Sequence, residues 1–279
     1  GILLICALTP LKASSRLQIF VSVPPQKYFV EQIGKDRVNV DVMVEPGASP
    51  HTYEPKPKQM VAIARTKIYF SIGVAFEETW IKKIASTNPT MEIVPTQQGI
   101  KKIAITGHQD EHEADHSDGL DPHIWLSPPL VKLQAQTILK ALLKADPANR
   151  SFYEINFQQF SHQIADLDHD LKAVFAGKQD RQFMVFHPSW GYFAQAYGLK
   201  QIAIEMEGKS PKPAQLKEII KLGRTQGIRM IFVQPQFSAR NANLVAKAIG
   251  GEVVFVDPLA EDWMSNLRHI ADKFHQALR

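Results

Sequence analysis

The feature that most constrains the fold of this chain is a long amphipathic segment in its middle, residues 146–176. Neither proline nor glycine interrupts it between Pro147 and Gly177. About thirty helical residues extend about 45 Å, which is long enough to run along two lobes. A coiled-coil helix that awaits a partner is the alternative interpretation. The apolar residues alternate in spacings of four and three, which places them on one side of an α-helix: Tyr153, Phe157, Phe160, Ile164, Leu167, Leu171 and Val174.

Strands alternate with helices on both sides of that segment, which predicts an α/β fold with parallel sheets. The predicted strands are Gln18–Val23, Val38–Val44, Ile68–Ile72, Phe183–Phe186, Ile202–Ile204, Met230–Val233 and Val253–Val256. We therefore predict two lobes, each a mainly parallel sheet flanked by helices, joined by one long rigid helix. The N-terminal lobe is expected at 16–145, the connecting helix at 146–177 and the C-terminal lobe at 178–279. A further amphipathic helix is predicted at Trp263–Leu278.

Two short segments that open helices resemble each other and indicate that the lobes are related. Lys56–Met60 reads KPKQM and precedes the predicted strand IYFSI, whereas Lys212–Leu216 reads KPAQL and precedes the predicted strand MIFV. A five-residue match is weak evidence by itself, so it only supports the two-lobe interpretation.

Residues 1–15 predict the remainder of a secretory signal peptide. An apolar run at 2–8 is followed by small residues that end at Ser15, so we expect cleavage before Arg16. The mature protein is then expected in the periplasm. A buried first strand is the alternative, which Pro10 and Lys12 disfavour. Because the only cysteine, Cys6, lies in this leader, a metal site in the mature chain must use His, Asp or Glu. The net charge of +4 is scattered, which argues against a nucleic-acid partner.

Four residues beside prolines are candidate metal ligands: His51, His123, His187 and Asp257. Three of the four stand at or near the carboxyl end of a predicted strand, the edge at which open α/β sheets bind ligands. Three imidazoles and one carboxylate suit a borderline divalent cation such as Zn²⁺ when thiolates are absent. Taken singly, each residue has an ordinary structural interpretation, as a loop residue, a buried histidine or a helix start. The set of four, spread over both lobes, favours a metal site.

Four stretches resemble the metal-binding substrate-binding proteins of ABC importers, specifically the zinc- or manganese-capturing cluster A-I family. They read EPGASPHTYEPKPKQM, DPHIWLSP, EGKSPKPAQLKEI and VDPLAEDWMSNLRHIA. The resemblance covers essentially the whole mature chain. It implies two α/β lobes joined by a long helix, with the metal held between them by His51, His123, His187 and Asp257. It also implies Zn²⁺ as the transported ligand, a membrane permease of an ABC importer as the partner, and no enzymatic activity. We expect a monomer.

The third imidazole favours zinc over the other metals of this family. Relatives that take manganese resemble this sequence but usually carry Glu where His187 stands, and nitrogen ligands suit zinc better than oxygen-preferring manganese. A Mn²⁺- or Fe²⁺-binding member of the family is the alternative. From other classes, the alternatives are a surface adhesin and a zinc hydrolase, whose general base would be Glu54, Glu205 or Glu207.

A histidine- and acid-rich stretch precedes His123. His108, His112 and His116 lie among acidic residues between Gly107 and Gly119, with no apolar residue larger than alanine that would anchor a helix. Zinc-type relatives tend to carry such a loop, so it is a possible weak accessory metal loop. A solvated loop without a role in metal binding is an equally good interpretation.

Overall fold

A computed structural model describes residues 16–105, 119–205 and 211–278. The predicted leader and the three histidines of the accessory loop lie outside these residues. The N-terminal lobe contains a four-stranded parallel sheet with the strand order β2-β1-β3-β4. Its strands are β1 (Leu17–Val21), β2 (Val38–Val42), β3 (Ile68–Ser71) and β4 (Glu92–Pro95), and its helices are α1 (Pro24–Gly34), α2 (Pro57–Ile63) and α3 (Ala75–Thr87).

The C-terminal lobe repeats this arrangement with the strand order β6-β5-β7-β8, again all parallel. In each sheet the first strand lies between the second and the third, so the two lobes share one topology. The strands are β5 (Gln182–Val185), β6 (Lys200–Ala203), β7 (Met230–Val233) and β8 (Glu252–Phe255). The helices are α6 (Gly191–Ala196), α7 (Pro213–Thr225), α8 (Arg240–Ile249) and α9 (Trp263–Ala277), so the predicted C-terminal helix is confirmed.

The two resembling segments occupy equivalent places in this topology. Each opens the helix that leads to the third strand of its lobe, α2 before β3 and α7 before β7. In both, a glutamine in the first turn accepts a hydrogen bond from the backbone N–H of the lysine before the helix. The distances are 2.9 Å from Lys56 to Gln59 and 2.8 Å from Lys212 to Gln215. The sequence echo therefore reflects a shared way of starting this helix.

The amphipathic segment forms a helix that runs between the lobes, as predicted. It comprises a short 3₁₀ turn at Pro147–Asn149 and α5 (Arg150–Val174), which packs against α4 (Pro128–Ala145), α1 and α9. Most of its apolar side is buried: Tyr153, Phe160, Ile164, Leu167 and Leu171. None of the described helices is both long enough and apolar enough to cross a membrane.

One hydrophobic core continues from the N-terminal lobe through α5 into the inner half of the C-terminal lobe. A second, smaller core lies on the outer side of the C-terminal sheet. Because the lobes share a densely packed core, opening them widely would expose apolar surface. The boundaries at 145/146 and 177/178 stay a prediction, since packing is continuous across both.

Candidate metal centre

His51 reaches the space between the lobes on the turn that follows β2. The turn is closed by a backbone hydrogen bond of 3.0 Å from Ala48 N to the Glu45 carbonyl. Behind it, Tyr53 is buried and donates to Gln59 Oε1 at 2.8 Å. These contacts hold the half-buried imidazole of His51 with its Nε2 only 3.1 Å from Nε2 of His187.

His123 is buried and is oriented by a carboxylate two residues earlier. Oδ1 of Asp121 accepts hydrogen bonds from His123 Nδ1 at 2.7 Å and from the His123 backbone N–H at 2.8 Å. A carboxylate can only accept, so the ring proton sits on Nδ1 and the lone pair on Nε2. Carboxylates that orient metal-binding histidines in this way raise the basicity of the ligand nitrogen. The pair therefore leaves the lone pair of His123 Nε2 in a position where it could bind a metal ion.

His187 has the same kind of support. It follows β5, and its Nδ1 donates to Oε1 of Glu205 at 3.1 Å, which directs Nε2 away from the carboxylate. Gln234 holds the backbone of His187 on both sides, accepting from its N–H at 3.3 Å and donating to its carbonyl at 2.7 Å. The ring of Phe237 stacks on the imidazole with 4.8 Å between ring centres. His187 is thus fixed in position and in tautomer.

The three histidines converge on one point although they are far apart in sequence. One ring nitrogen of each lies within 4.8 Å of the other two, and they are the group of potential metal donors found among the described residues. Nitrogens bound tetrahedrally to zinc at 2.0–2.1 Å are about 3.3 Å apart, close to the 3.1 Å between His51 and His187. Residues of both lobes line a cavity of about 20 Å³ here, which is about the space of one water molecule.

Burial favours the neutral form of two of these imidazoles, those of His51 and His187. The pKa of His51 is lowered to about 3, mainly by burial and further by the neighbouring His187 and His123 rings. Burial also lowers the pKa of His187, although the carboxylate of Glu205 opposes that shift. Since only a neutral imidazole can bind a metal ion, these lowered pKa values leave the two rings in the form that a metal ligand requires.

Asp257, the fourth residue of the predicted set, lies outside this group of three. It stands two residues after β8, and its Oδ1 accepts hydrogen bonds from Leu259 N and from Gln236 Nε2, both at 2.9 Å. Its Oδ2 accepts no hydrogen bond from the described residues. Gln236, Pro258 and Leu259 line the cavity, so Asp257 stands at its border. Asp257 as a ligand stays a prediction.

The family is shown by comparison with known proteins. A sequence model of the family described as "ZnuA: Zinc-uptake complex component A periplasmic" matches residues 19–277. The chain belongs to this family. It is a zinc-type substrate-binding protein of the cluster A-I group of ABC importers, as the sequence motifs predicted. Proteins of this family are periplasmic metal-binding components of zinc uptake.

Individual relatives agree with the family. A crystal structure of ZnuA is 41% identical, has a TM-score of 0.89, and is matched over 95% of this chain and 100% of that one. A ZnuA deletion mutant with zinc bound is 42% identical with a TM-score of 0.87, over 94% and 98% of the two chains. The high-affinity zinc uptake system protein ZnuA of Bacillus subtilis (strain 168) is 27% identical over 88% of this chain and 79% of that protein.

Two site residues were not predicted in their present role. Asp121 belongs to the D-P-H-I-W motif, which did not predict that its carboxylate orients His123, and Glu205 is predicted only as the general base of the hydrolase alternative. Glu205 follows β6 at the same sheet edge as His187, so its position in the sequence was an available signal. Of the other two candidate bases, Glu54 is exposed and Glu207 lies outside the described residues.

Proposed function

We propose that this protein captures Zn²⁺ between its lobes through His51, His123 and His187, with Asp257 as the fourth ligand, and delivers the ion to the membrane permease of an ABC importer. One observation carries the proposal: three imidazoles from both lobes converge within 4.8 Å. Four protein ligands would close a tetrahedral shell, which is a binding arrangement and leaves no position for a reacting water.

The charges around the cavity support a divalent cation. Zn²⁺ brings two positive charges, and Asp257 would neutralise one of them directly. Asp121 and Glu205 add negative charge through the imidazoles to which they are hydrogen-bonded. Both carboxylates are almost fully buried, at 1% and 4% exposure, so water screens their effect on the ion very little.

The ligand chemistry favours zinc over manganese or iron. Three of the four proposed ligands are nitrogen donors, which zinc accepts readily, whereas Mn²⁺ prefers carboxylate and carbonyl oxygens. Competition binding of Zn²⁺ against Mn²⁺ to the purified protein tests this choice. Equal occupancy by the two ions at equal concentrations would contradict it.

Alanine variants of the ligands test the site. We expect His51→Ala, His123→Ala and His187→Ala each to weaken zinc binding by more than the roughly 10–100-fold typical of losing an outer partner. Asp257→Ala should cost less, because three imidazoles remain. His162→Ala is the matched control, since His162 is exposed on α5 outside the cavity. An unchanged dissociation constant for any of the three His→Ala variants of the ligands would refute the assignment.

The zinc hydrolase is the weaker candidate. Oε1 of Glu205 is occupied by Nδ1 of His187, and Glu54 is exposed at the surface, so neither is placed to activate a metal-bound water. The family model and the relatives are described as metal-binding or uptake components.

One of the structural relatives bears on the adhesin alternative, the laminin binding protein Lmb of Streptococcus agalactiae. It is 22% identical with a TM-score of 0.84, over 95% of this chain and 100% of that one. This likeness concerns the fold alone.

For the accessory loop we propose a weak, separable role. His108, His112 and His116 would bind zinc loosely and raise its local concentration, while the main site is complete without them. Deletion of 108–118 should therefore leave the high-affinity dissociation constant unchanged and lower only the number of weakly bound ions. Titration calorimetry distinguishes the two classes of site, and loss of the high-affinity class on deletion would contradict the proposal.

A further inference from the structure

Trp125 connects the segment that carries His123 with the segment that carries Asp257. It lies two residues after His123, is fully buried, and its ring stands edge-on to the His123 imidazole with 5.2 Å between centres. Its indole Nε1 donates a hydrogen bond of 2.8 Å to the carbonyl of Pro258, the residue after Asp257. The bond joins positions 133 residues apart in sequence and crosses between the lobes.

A second tryptophan completes a reciprocal pair. Trp263, the first residue of α9, donates from its Nε1 to the backbone carbonyl of Trp125 at 2.6 Å. Its ring packs edge-on against Phe29 of α1, with 5.1 Å between centres. The C-terminal lobe therefore makes two hydrogen bonds with Trp125. The carbonyl of Pro258 accepts one from the Trp125 indole, and the Trp263 indole donates the other to the Trp125 carbonyl.

The first turn of α9 also holds the Asp257 segment. Asn266 Nδ2 donates to the carbonyl of Asp257 at 2.7 Å. The first turn of α9 thus binds the main chain near two of the proposed ligands, His123 and Asp257. Trp263 donates to the carbonyl of Trp125, and Asn266 donates to the carbonyl of Asp257. These bonds are in buried or half-buried positions, where an unmatched carbonyl is costly, so they fix the separation of the two segments.

We propose that Trp125 and Trp263 are positioning residues that hold His123 and Asp257 at the separation that zinc requires, and that their two indole hydrogen bonds thereby set metal affinity and coordination geometry. This inference rests on the proposed function. It makes the lobe contact itself part of the metal centre, since neither tryptophan supplies a ligand atom. Loss of either N–H donor lets one ligand segment shift relative to the other.

Tryptophan-to-phenylalanine variants test the inference, because they remove the N–H donor and keep an aromatic ring. We expect Trp125→Phe and Trp263→Phe each to raise the zinc dissociation constant about 10-fold, the lower end of the range for partners bonded directly to a metal ligand, because the two indoles bond the backbone beside the ligands. Trp190→Phe is the matched control. Trp190 is equally buried, but its Nε1 has no hydrogen-bond partner among the described residues, so this change costs only packing.

Cobalt supplies a readout that a purely structural role would not move. Tetrahedral Co²⁺ absorbs strongly in the visible range, and this absorption weakens when the coordination number of the ion rises. We expect a weaker visible band for Co²⁺ bound to Trp125→Phe than for Co²⁺ bound to the wild type or to Trp190→Phe. Benzothienylalanine at position 125, which keeps the bicyclic shape and lacks the N–H donor, gives the same comparison if the phenylalanine variant does not fold.

The outcomes separate the inference from the proposed function. Equal zinc dissociation constants and equal cobalt spectra for the Trp125 and Trp190 variants would overturn the positioning role, even if His51→Ala weakens zinc binding as expected. If His51→Ala binds zinc like the wild type, the proposed metal site itself fails, whatever the tryptophan variants show. The inference is supported if the Trp125→Phe and Trp263→Phe variants show a higher zinc dissociation constant and a weaker cobalt band, and the Trp190→Phe variant shows neither.

Discussion

Replacing Asp121 by asparagine removes one negative charge from the proposed metal centre and leaves the shape of the side chain almost unchanged. The oxygen of Asp121 that orients His123 accepts two hydrogen bonds, at 2.7 and 2.8 Å, in a buried position. A hydrogen bond to a charged group contributes about 1.5–3 kcal/mol, and each 1.36 kcal/mol is about a tenfold change in a binding constant. The metal-free protein also makes these hydrogen bonds, so only the energy that metal binding adds to them counts toward affinity, and their complete loss would weaken zinc binding by at most about 10- to 150-fold.

Asparagine keeps one acceptor oxygen, so part of this interaction survives. We expect the zinc dissociation constant of Asp121→Asn to rise about 10–100-fold, as for other outer partners of metal-binding histidines. The stability of the metal-free protein should not fall with it. Oδ2 of Asp121 is buried and accepts no hydrogen bond from the described residues, so the wild-type carboxylate is itself costly without metal.

Competition titration with a zinc chelator measures the affinity, and thermal unfolding of the metal-free protein measures the stability. Asp146→Asn is the matched control, because Asp146 also accepts two hydrogen bonds, from Asn149 and Tyr153, outside the cavity. Its zinc affinity should equal that of the wild type. If Asp121→Asn and Asp146→Asn bind zinc equally well, the carboxylate does not tune His123 and the reasoning is wrong.

Three further predictions concern the surroundings of the site. Gly191→Ala should weaken zinc binding, because the new Cβ would lie 2.7 Å from Asp121 Oδ2, whereas Gly119→Ala has open space and should leave affinity unchanged in the same titration. Glu205→Gln should raise the zinc dissociation constant about 10–100-fold; an unchanged value would show that the third imidazole needs no carboxylate. The fold lowers the pKa of His51 from its ordinary value of 6.5 to about 3, so the unfolded chain takes up a proton at a higher pH than the folded chain does. The free energy of unfolding of the metal-free protein should therefore decline as pH falls from 6.5 towards 3, and less so for His51→Gln; equal declines in urea titrations would argue against it.

Local periodicity predicted much of the fold because helices and strands impose their own repeat on the chain. The alternating spacings of four and three placed α5 within a few residues of its observed bounds, and MIFV gave β7 at Met230–Val233. The short strand β4 (Glu92–Pro95) was not predicted. Its apolar run is only Ile93–Val94, too short to predict a strand by itself, and it pairs with β3. Helix α4 was also not predicted, although it begins directly at the Pro128–Pro129 pair.

The candidate site, like the fold, was only partly predictable from the sequence. The residue types and their motifs, His51 in P-H-T-Y-E-P and His123 in D-P-H-I-W, were readable from the sequence and indicated a metal-binding family. The sequence also predicted that these residues meet at one site, but the distances between them were not readable, because they depend on how two sheets and a shared core bring distant strand ends together. The hydrogen bonds from His123 to Asp121 and from His187 to Glu205 arise only in the folded protein. The sequence by itself determined which donors are present, and the tertiary structure decided their distances, tautomers and charge, because these depend on burial and on contacts between residues far apart in the chain.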